Sequence, residues 1–314
     1  MKWAALQLCV FTAICLTACG GNYQTPEAAG AGVSGKTEQP AGSQGNKLYV
    51  CVTFNAMKEF AEAVGGDKAD IRAIIPDGTE PHNFEPKAQD LASLNRASVF
   101  IYNGLGMETW AGQAISVANN SKLIAIEASK GVNAITGPHG TEAGETYDPH
   151  LWLSLKGAEF EAQNIRDGLI QADPTNENYY RKNCEEFVSK TENLYNEYKG
   201  KFQSVKKKSF VTGHAAFAYL CRDFGLEQKS VEDVFAEGEP TARQLSELVN
   251  YCRDNNVTAI FTEIMASPAV SQTLAREVNA RVETVYTIES AEGALTYLER
   301  MSDNLSKIYD SLAQ

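Results

Sequence analysis

Histidine is scarce in this chain, with four in 314 residues, and the usual metal signatures are missing. There is no His-Glu-x-x-His pair of the kind that puts two imidazoles on one helix face, and no Cys-x-x-Cys clamp. An excess of positive charge is lacking too. The 28 Lys and Arg stand against 40 Asp and Glu, a formal charge of −12, so no nucleic-acid footprint is expected. The apolar run at the start, Trp3–Leu16, is too short to span a bilayer comfortably. What is present is an apolar content of 43%, enough over this length for two lobes with real cores.

With Lys2 before it, that apolar run reads as an export signal over residues 1–18. It ends in Leu16-Thr17-Ala18-Cys19, which resembles the bacterial lipobox, in which cleavage leaves a lipid-modified cysteine, here Cys19, at the new N-terminus. The expected location is therefore outside the cytoplasm, lipid-anchored to the bacterial cell membrane. Residues 19–46 then form a tether, rich in Gly, Ala, Ser and Thr and too poor in large apolar residues to fold. Four cysteines remain in the body, Cys51, Cys184, Cys221 and Cys252, an even number compatible with disulfides in an oxidising compartment.

Inside the tether, Gly30-Ala31-Gly32-Val33-Ser34-Gly35-Lys36-Thr37 matches the phosphate-loop pattern letter for letter. That loop works only between a buried strand and a helix N-terminus. No apolar strand precedes it and Pro40-Ala41-Gly42-Ser43 follows, so nucleotide binding is rejected. From Lys47 the pattern alternates. Strands over 48–53, 69–75, 98–103 and 123–126 are separated by helical stretches, which indicates a parallel α/β sheet. Asp173-Pro174-Thr175 opens a polar helix running to about Gln203, with Phe187, Leu194, Tyr198 and Phe202 at helical spacing. A second α/β series follows, with strands at 210–212, 230–232, 258–262 and 282–287 and a last helix over 296–312. The reading is an α/β lobe over 47–172, a long rigid connecting helix over 173–205, and a second α/β lobe over 206–314.

The first series contains a loop, Ile75-Pro76-Asp77-Gly78-Thr79-Glu80-Pro81-His82-Asn83-Phe84-Glu85-Pro86, that three prolines should stiffen. Read alone, its histidine could be inert. His150 and His214 also sit where a strand has ended or a helix is about to begin, the edge at which parallel sheets bind ligands. Three imidazoles from separate loops suit a borderline-soft divalent ion. His139 lies in a polar loop with Glu142, Glu145 and Asp148 and reads as peripheral.

Seven motifs in order carry a resemblance over nearly all of residues 47–314. They are Ala63-Val64-Gly65-Gly66-Asp67, Glu80-Pro81-His82-Asn83-Phe84-Glu85-Pro86, Tyr102-Asn103-Gly104, Asp148-Pro149-His150-Leu151-Trp152, Gly213-His214-Ala215-Ala216-Phe217 with Tyr219-Leu220, Glu239-Pro240-Thr241, and Phe261-Thr262-Glu263. The chain resembles the cluster A-I solute-binding proteins, the metal-receptor subunits of bacterial ABC importers for zinc and manganese. That resemblance implies two α/β lobes joined by one rigid helix, and a stiff connecting helix predicts only small lobe movement. It implies a monomer that hands its metal to a membrane permease served by a separate ATPase chain. It also implies metal ligands at His82, His150 and His214 plus a carboxylate near the last strand. Many members have a longer loop with an aspartate there; this chain is shorter, and Glu289 is the nearest acid in register, with Glu263 or a water as alternatives and Glu292 as a solvated charge at the helix entry. Three histidines favour zinc, with manganese as the alternative. The rival readings are a zinc hydrolase with Glu263 as general base and a metal-binding surface adhesin.

Overall fold

The computed structural model describes residues 47–137, 146–234, 240–264 and 268–314. The export signal, Cys19, the tether with its phosphate-loop match, and His139, Glu142, Glu145 and Glu239 lie outside the described residues.

Two parallel sheets of four strands each organise the body. The first contains β1 (Leu48–Val52), β2 (Ala69–Ala73), β3 (Val99–Tyr102) and β4 (Ile124–Glu127), in the order β2-β1-β3-β4. The second contains β5 (Ser209–Thr212), β6 (Glu227–Ser230), β7 (Ala259–Glu263) and β8 (Arg281–Val285), in the order β6-β5-β7-β8. In both, the chain steps outward to one side and then reverses past its starting strand. That leaves a crevice at the carboxyl ends of β1 and β3 and another at those of β5 and β7, the places where side chains from neighbouring loops can converge.

Helices cover the sheets: α1 (Asn55–Gly65), α2 (Ala88–Leu91), α3 (Ala111–Val117) and α4 (Leu155–Ala172) in the first half, and α6 (Ala218–Phe224), α7 (Ala242–Asp254), α8 (Ala269–Val278) and α9 (Tyr297–Leu312) in the second. Between the halves runs α5 (Glu177–Ser204), entered through a 3₁₀ turn at Pro174–Asn176. Its 28 residues make a rod of about 42 Å. The buried residues Tyr180, Cys184, Phe187, Thr191, Tyr198 and Phe202 form one stripe along it, recurring every three, four or seven positions. None of the described helices is long and apolar enough to cross a membrane.

One apolar cluster draws from both halves. Phe60 of α1 packs edge-on against Tyr297 of α9 with ring centroids 4.9 Å apart, and Phe187 of α5 lies 5.6 Å from Phe60. Three sequence expectations are corrected. The strand expected at 230–232 lies at Glu227–Ser230, because Ser209 pairs with Glu227 and Thr212 with Ser230. Val231 and Glu232 instead fold over the end of β5, donating their N–H groups to the Gly213 carbonyl at 3.0 and 2.8 Å. The four body cysteines are free, buried thiols on β1, α5, α6 and α7, so no disulfide joins them. Burial pushes the Cys252 thiol up to about 11. Glu292 is buried rather than solvated, at 7% exposure.

Candidate metal centre

The loop carrying His82 leaves the end of β2. Ile74 and Ile75 still donate to the Val52 and Thr53 carbonyls, at 2.8 and 2.9 Å, and Pro76, with no N–H, ends the ladder. The Glu80 carboxylate then accepts from the backbone N–H of His82 and of Asn83, both at 3.0 Å, which closes the turn. His150 enters from the stretch between β4 and α4. Asp148 Oδ1 accepts from the His150 backbone N–H at 2.9 Å and from its Nδ1–H at 2.9 Å. A carboxylate oxygen can only accept, so the ring proton sits on Nδ1 and the Nε2 lone pair faces outward. The Asp148 turn is clamped in its own right: Asn103 Nδ2 donates to the Pro149 carbonyl at 2.9 Å, and the Tyr219 hydroxyl donates to the Asp148 carbonyl at 2.7 Å.

His214 follows β5. Its carbonyl accepts from Thr212 Oγ1 and Gln228 Nε2, at 2.7 and 2.8 Å. Its backbone N–H donates to Glu263 Oε1 at 3.2 Å, and its Nδ1 lies 3.9 Å from the same oxygen. Gly213 makes that approach achievable, because a Cβ there would fall inside the Glu263 carboxylate. Glu289 comes from the turn after β8. Its Oε2 accepts from Thr287 Oγ1 at 2.9 Å, and its backbone carbonyl accepts from Asn55 N–H at 3.4 Å, serving as an external cap for α1.

These four side chains meet. His150 Nε2 lies 3.2 Å from His82 Nε2 and 3.2 Å from His214 Nε2, and Glu289 Oε1 lies 3.5 Å from His82 Nε2 and 3.9 Å from His150 Nε2. One donor atom from each of the four falls within 4.8 Å of all the others. A four-coordinate zinc ion with bonds of 2.0–2.1 Å separates its ligand atoms by about 3.3 Å, so the polyhedron is nearly drawn. The charges agree. Burial would raise the Glu289 carboxyl, but the bond and charge of His82, and then the other two imidazoles, hold it at about 2. Burial, followed by the charge of His150, pushes His214 down to about 3, which keeps that imidazole neutral. For His82 burial works downward, and the Glu289 carboxylate overcomes it and raises the value. A buried carboxylate facing three imidazoles is a donor set for a divalent cation, which binds once the ring nitrogens have released their protons.

The profile of the ZnuA family, the periplasmic component A of zinc-uptake complexes, matches residues 50–311. The chain belongs to this family. A high-affinity zinc uptake protein of Bacillus subtilis is 34% identical, with the match covering 99% of this chain and 98% of the relative. A Treponema pallidum protein provisionally named as metal-binding is 43% identical over 84% of this chain and 87% of its own. Among solved structures, the laminin-binding protein of Streptococcus agalactiae, described as bifunctional with adhesin and metal-transporting activity, is 34% identical with a TM-score of 0.78, covering 84% of this chain and 99% of that one.

Within the ZnuA-family frame, the four residues expected from sequence come together. Glu263, the alternative carboxylate, does not join them and stands behind His214. Burial pushes its carboxyl up to about 8. Sequence reasoning missed the supporting roles. Asp148 was legible as part of a motif, yet its two-residue offset from His150 was the signal that one carboxylate could bind both the backbone and the ring of that histidine. Glu108 had no such signal. It is buried and accepts from Thr53 Oγ1 at 2.6 Å, Asn103 N at 3.0 Å and Gly104 N at 3.1 Å, fixing the turn whose Asn103 reaches the Asp148 segment.

Proposed function

We propose that this protein is an extracytoplasmic receptor that captures one zinc ion between its two sheets, using His82, His150, His214 and Glu289, and passes it to a membrane permease. The carrying observation is the convergence of those four donor atoms within 4.8 Å on a buried site. Three imidazoles and one carboxylate favour zinc over manganese, which prefers oxygen. An ATPase on a separate chain would drive transport. The lobes are assigned to residues 47–172 and 206–314, with 173–205 as the connector. The core that both halves share supports a cleft that changes little between empty and loaded states. Cys19 would carry the lipid and residues 19–46 the reach of a monomeric receptor at the cell membrane.

With four protein donors, this is a closed cargo site, whereas zinc hydrolases keep a position open for water. Glu263 accepts from the backbone N–H of His214 and is not one of the four converging donors, which argues against its service as a general base there. Surface adhesion is a second activity worth testing, because the laminin-binding relative combines it with metal transport. The decisive experiment is calorimetric titration of the metal-stripped protein with zinc and with manganese, on wild type, His82→Ala and His150→Ala. One zinc per chain and a loss of at least 100-fold in either variant are expected. Unchanged affinity in both variants overturns the ligand assignment.

A further inference from the structure

The turn that carries Glu289 contains an unusual residue. Ile288 is fully buried, β-branched, and has φ of 59°, in the left-handed region that branched side chains avoid. Such a conformation persists only where the surroundings over-determine it. Here three hydrogen bonds do so, one on each of three successive residues. The Thr287 carbonyl accepts from Trp152 Nε1 at 2.7 Å, Ile288 N–H donates to Glu292 Oε2 at 3.3 Å, and the Glu289 carbonyl accepts from Asn55 N–H at 3.4 Å. Two of those partners belong to the first half of the chain. Glu292 belongs to the same turn and is held in place in part by its own N–H, which donates to the Ser290 carbonyl at 2.9 Å.

The consequence for the site is geometric. In an extended strand, residues two apart point to one face but stand about 6.5 Å from each other along the chain. The left-handed residue between Thr287 and Glu289 folds the chain back, so that Thr287 Oγ1 reaches Glu289 Oε2 at 2.9 Å and leaves Oε1 turned toward the histidines. Without that kink the carboxylate would not be held by the hydroxyl behind it.

We infer that Glu292 is a positioning residue: by pinning Ile288 in its left-handed conformation, it aims the Glu289 carboxylate at the metal site before the cation arrives. The inference rests on the proposed assignment of Glu289 as a ligand. A pre-aimed carboxylate spares the site the reorganisation that would otherwise accompany each loading.

The test compares Glu292→Ala, Glu292→Gln and the double variant Glu292→Ala with Ile288→Gly. Zinc affinity is measured by chelator competition, the cobalt(II)-loaded protein is read by its visible spectrum, and the metal-free protein by its melting temperature. Glu292→Ala is expected to lose about 10- to 100-fold in zinc affinity, the range for residues that orient a ligand, and to shift the visible cobalt spectrum from that of wild type as water replaces the carboxylate. Glu292→Gln keeps a carbonyl acceptor for Ile288 N–H and should stay close to wild type. Glycine adopts positive φ without strain, so Ile288→Gly added to Glu292→Ala should recover most of the affinity and the cobalt spectrum. Unchanged affinity in Glu292→Ala overturns the inference. So does a Glu292→Gln variant as weak as Glu292→Ala, which would make charge and not the hydrogen bond responsible, or a double variant that recovers nothing. If wild type itself binds no zinc, the ligand reading fails first; if wild type binds and Glu292→Ala matches it, only the positioning role fails.

Discussion

Replacing Asp148 with asparagine separates the charge behind His150 from the hydrogen bonds that charge accepts. In the native protein one oxygen, Oδ1, takes the His150 backbone N–H and the Nδ1–H, each at 2.9 Å, and the whole turn is buried. Asparagine can keep its carbonyl in that position, so the turn should fold and Nδ1 should remain the protonated nitrogen. What disappears is the negative charge that would stabilise a cation held beyond the ring. Loss of such a partner costs about 10- to 100-fold in metal affinity, or about 1.4–2.8 kcal/mol of binding. Asp148→Ala goes further and strands two buried donors at about 1–3 kcal/mol each, so it should lower the stability of the metal-free protein by about 2–6 kcal/mol. The assay is zinc competition against a chromophoric chelator, paired with denaturant unfolding of the stripped protein. Asp148→Asn should move the first readout much more than the second, and Asp148→Ala should move both. An Asp148→Asn protein that binds zinc as wild type does would refute the reasoning.

Two further outcomes follow from the same geometry. The metal-free protein should lose stability as pH falls below about 6.5: the unfolded chain protonates His214 at its ordinary value of 6.5, whereas the folded one resists down to about 3, and Glu289, held at about 2 against 4.5, adds a loss between 4.5 and 2. His82 has the opposite sign, stabilising below 6.5 and losing that contribution as pH rises through its raised value; a melting series on His214→Asn should flatten the acid slope, and an unchanged slope would count against the assignment. Gly213→Ala should destabilise by about 1–3 kcal/mol through collision with Glu263 and weaken zinc binding by displacing His214, and adding Glu263→Ala should relieve the collision, as unfolding curves of the two variants would show.

The parallel sheets were legible because alternating apolar and helical runs with Gly and Pro punctuation have few other solutions. The long helix was legible for a plainer reason: from Glu177 to Ser204 no Pro occurs and the only Gly is Gly200, near the end. Strand β6 was misplaced because it is a polar edge strand, Glu227-Gln228-Lys229-Ser230, while the apolar residue beside it, Val231, folds over the end of β5. At the site, strand-end positions pointed to the three histidines and the family resemblance to an acid near Glu289, whereas the fate of the other acids depended on distance. In one dimension Glu289 is preferred only by its register, Glu263 stays an alternative, and Glu292 reads as a solvated charge. Only the folded chain separates an oxygen aimed at the imidazoles from one spent on a backbone N–H.

The four thiols have a consequence for a protein that handles a thiophilic ion. Thiolate sulfur is a strong ligand for zinc, so an accessible cysteine would compete with the imidazole cluster for the cargo and divert it. Cys51, Cys184, Cys221 and Cys252 are each buried in a separate helix or strand and unpaired. Burial also pushes all four thiols away from the reactive anionic form. The body therefore needs no oxidant to complete its fold, and reductant in its surroundings would leave its cargo capacity untouched.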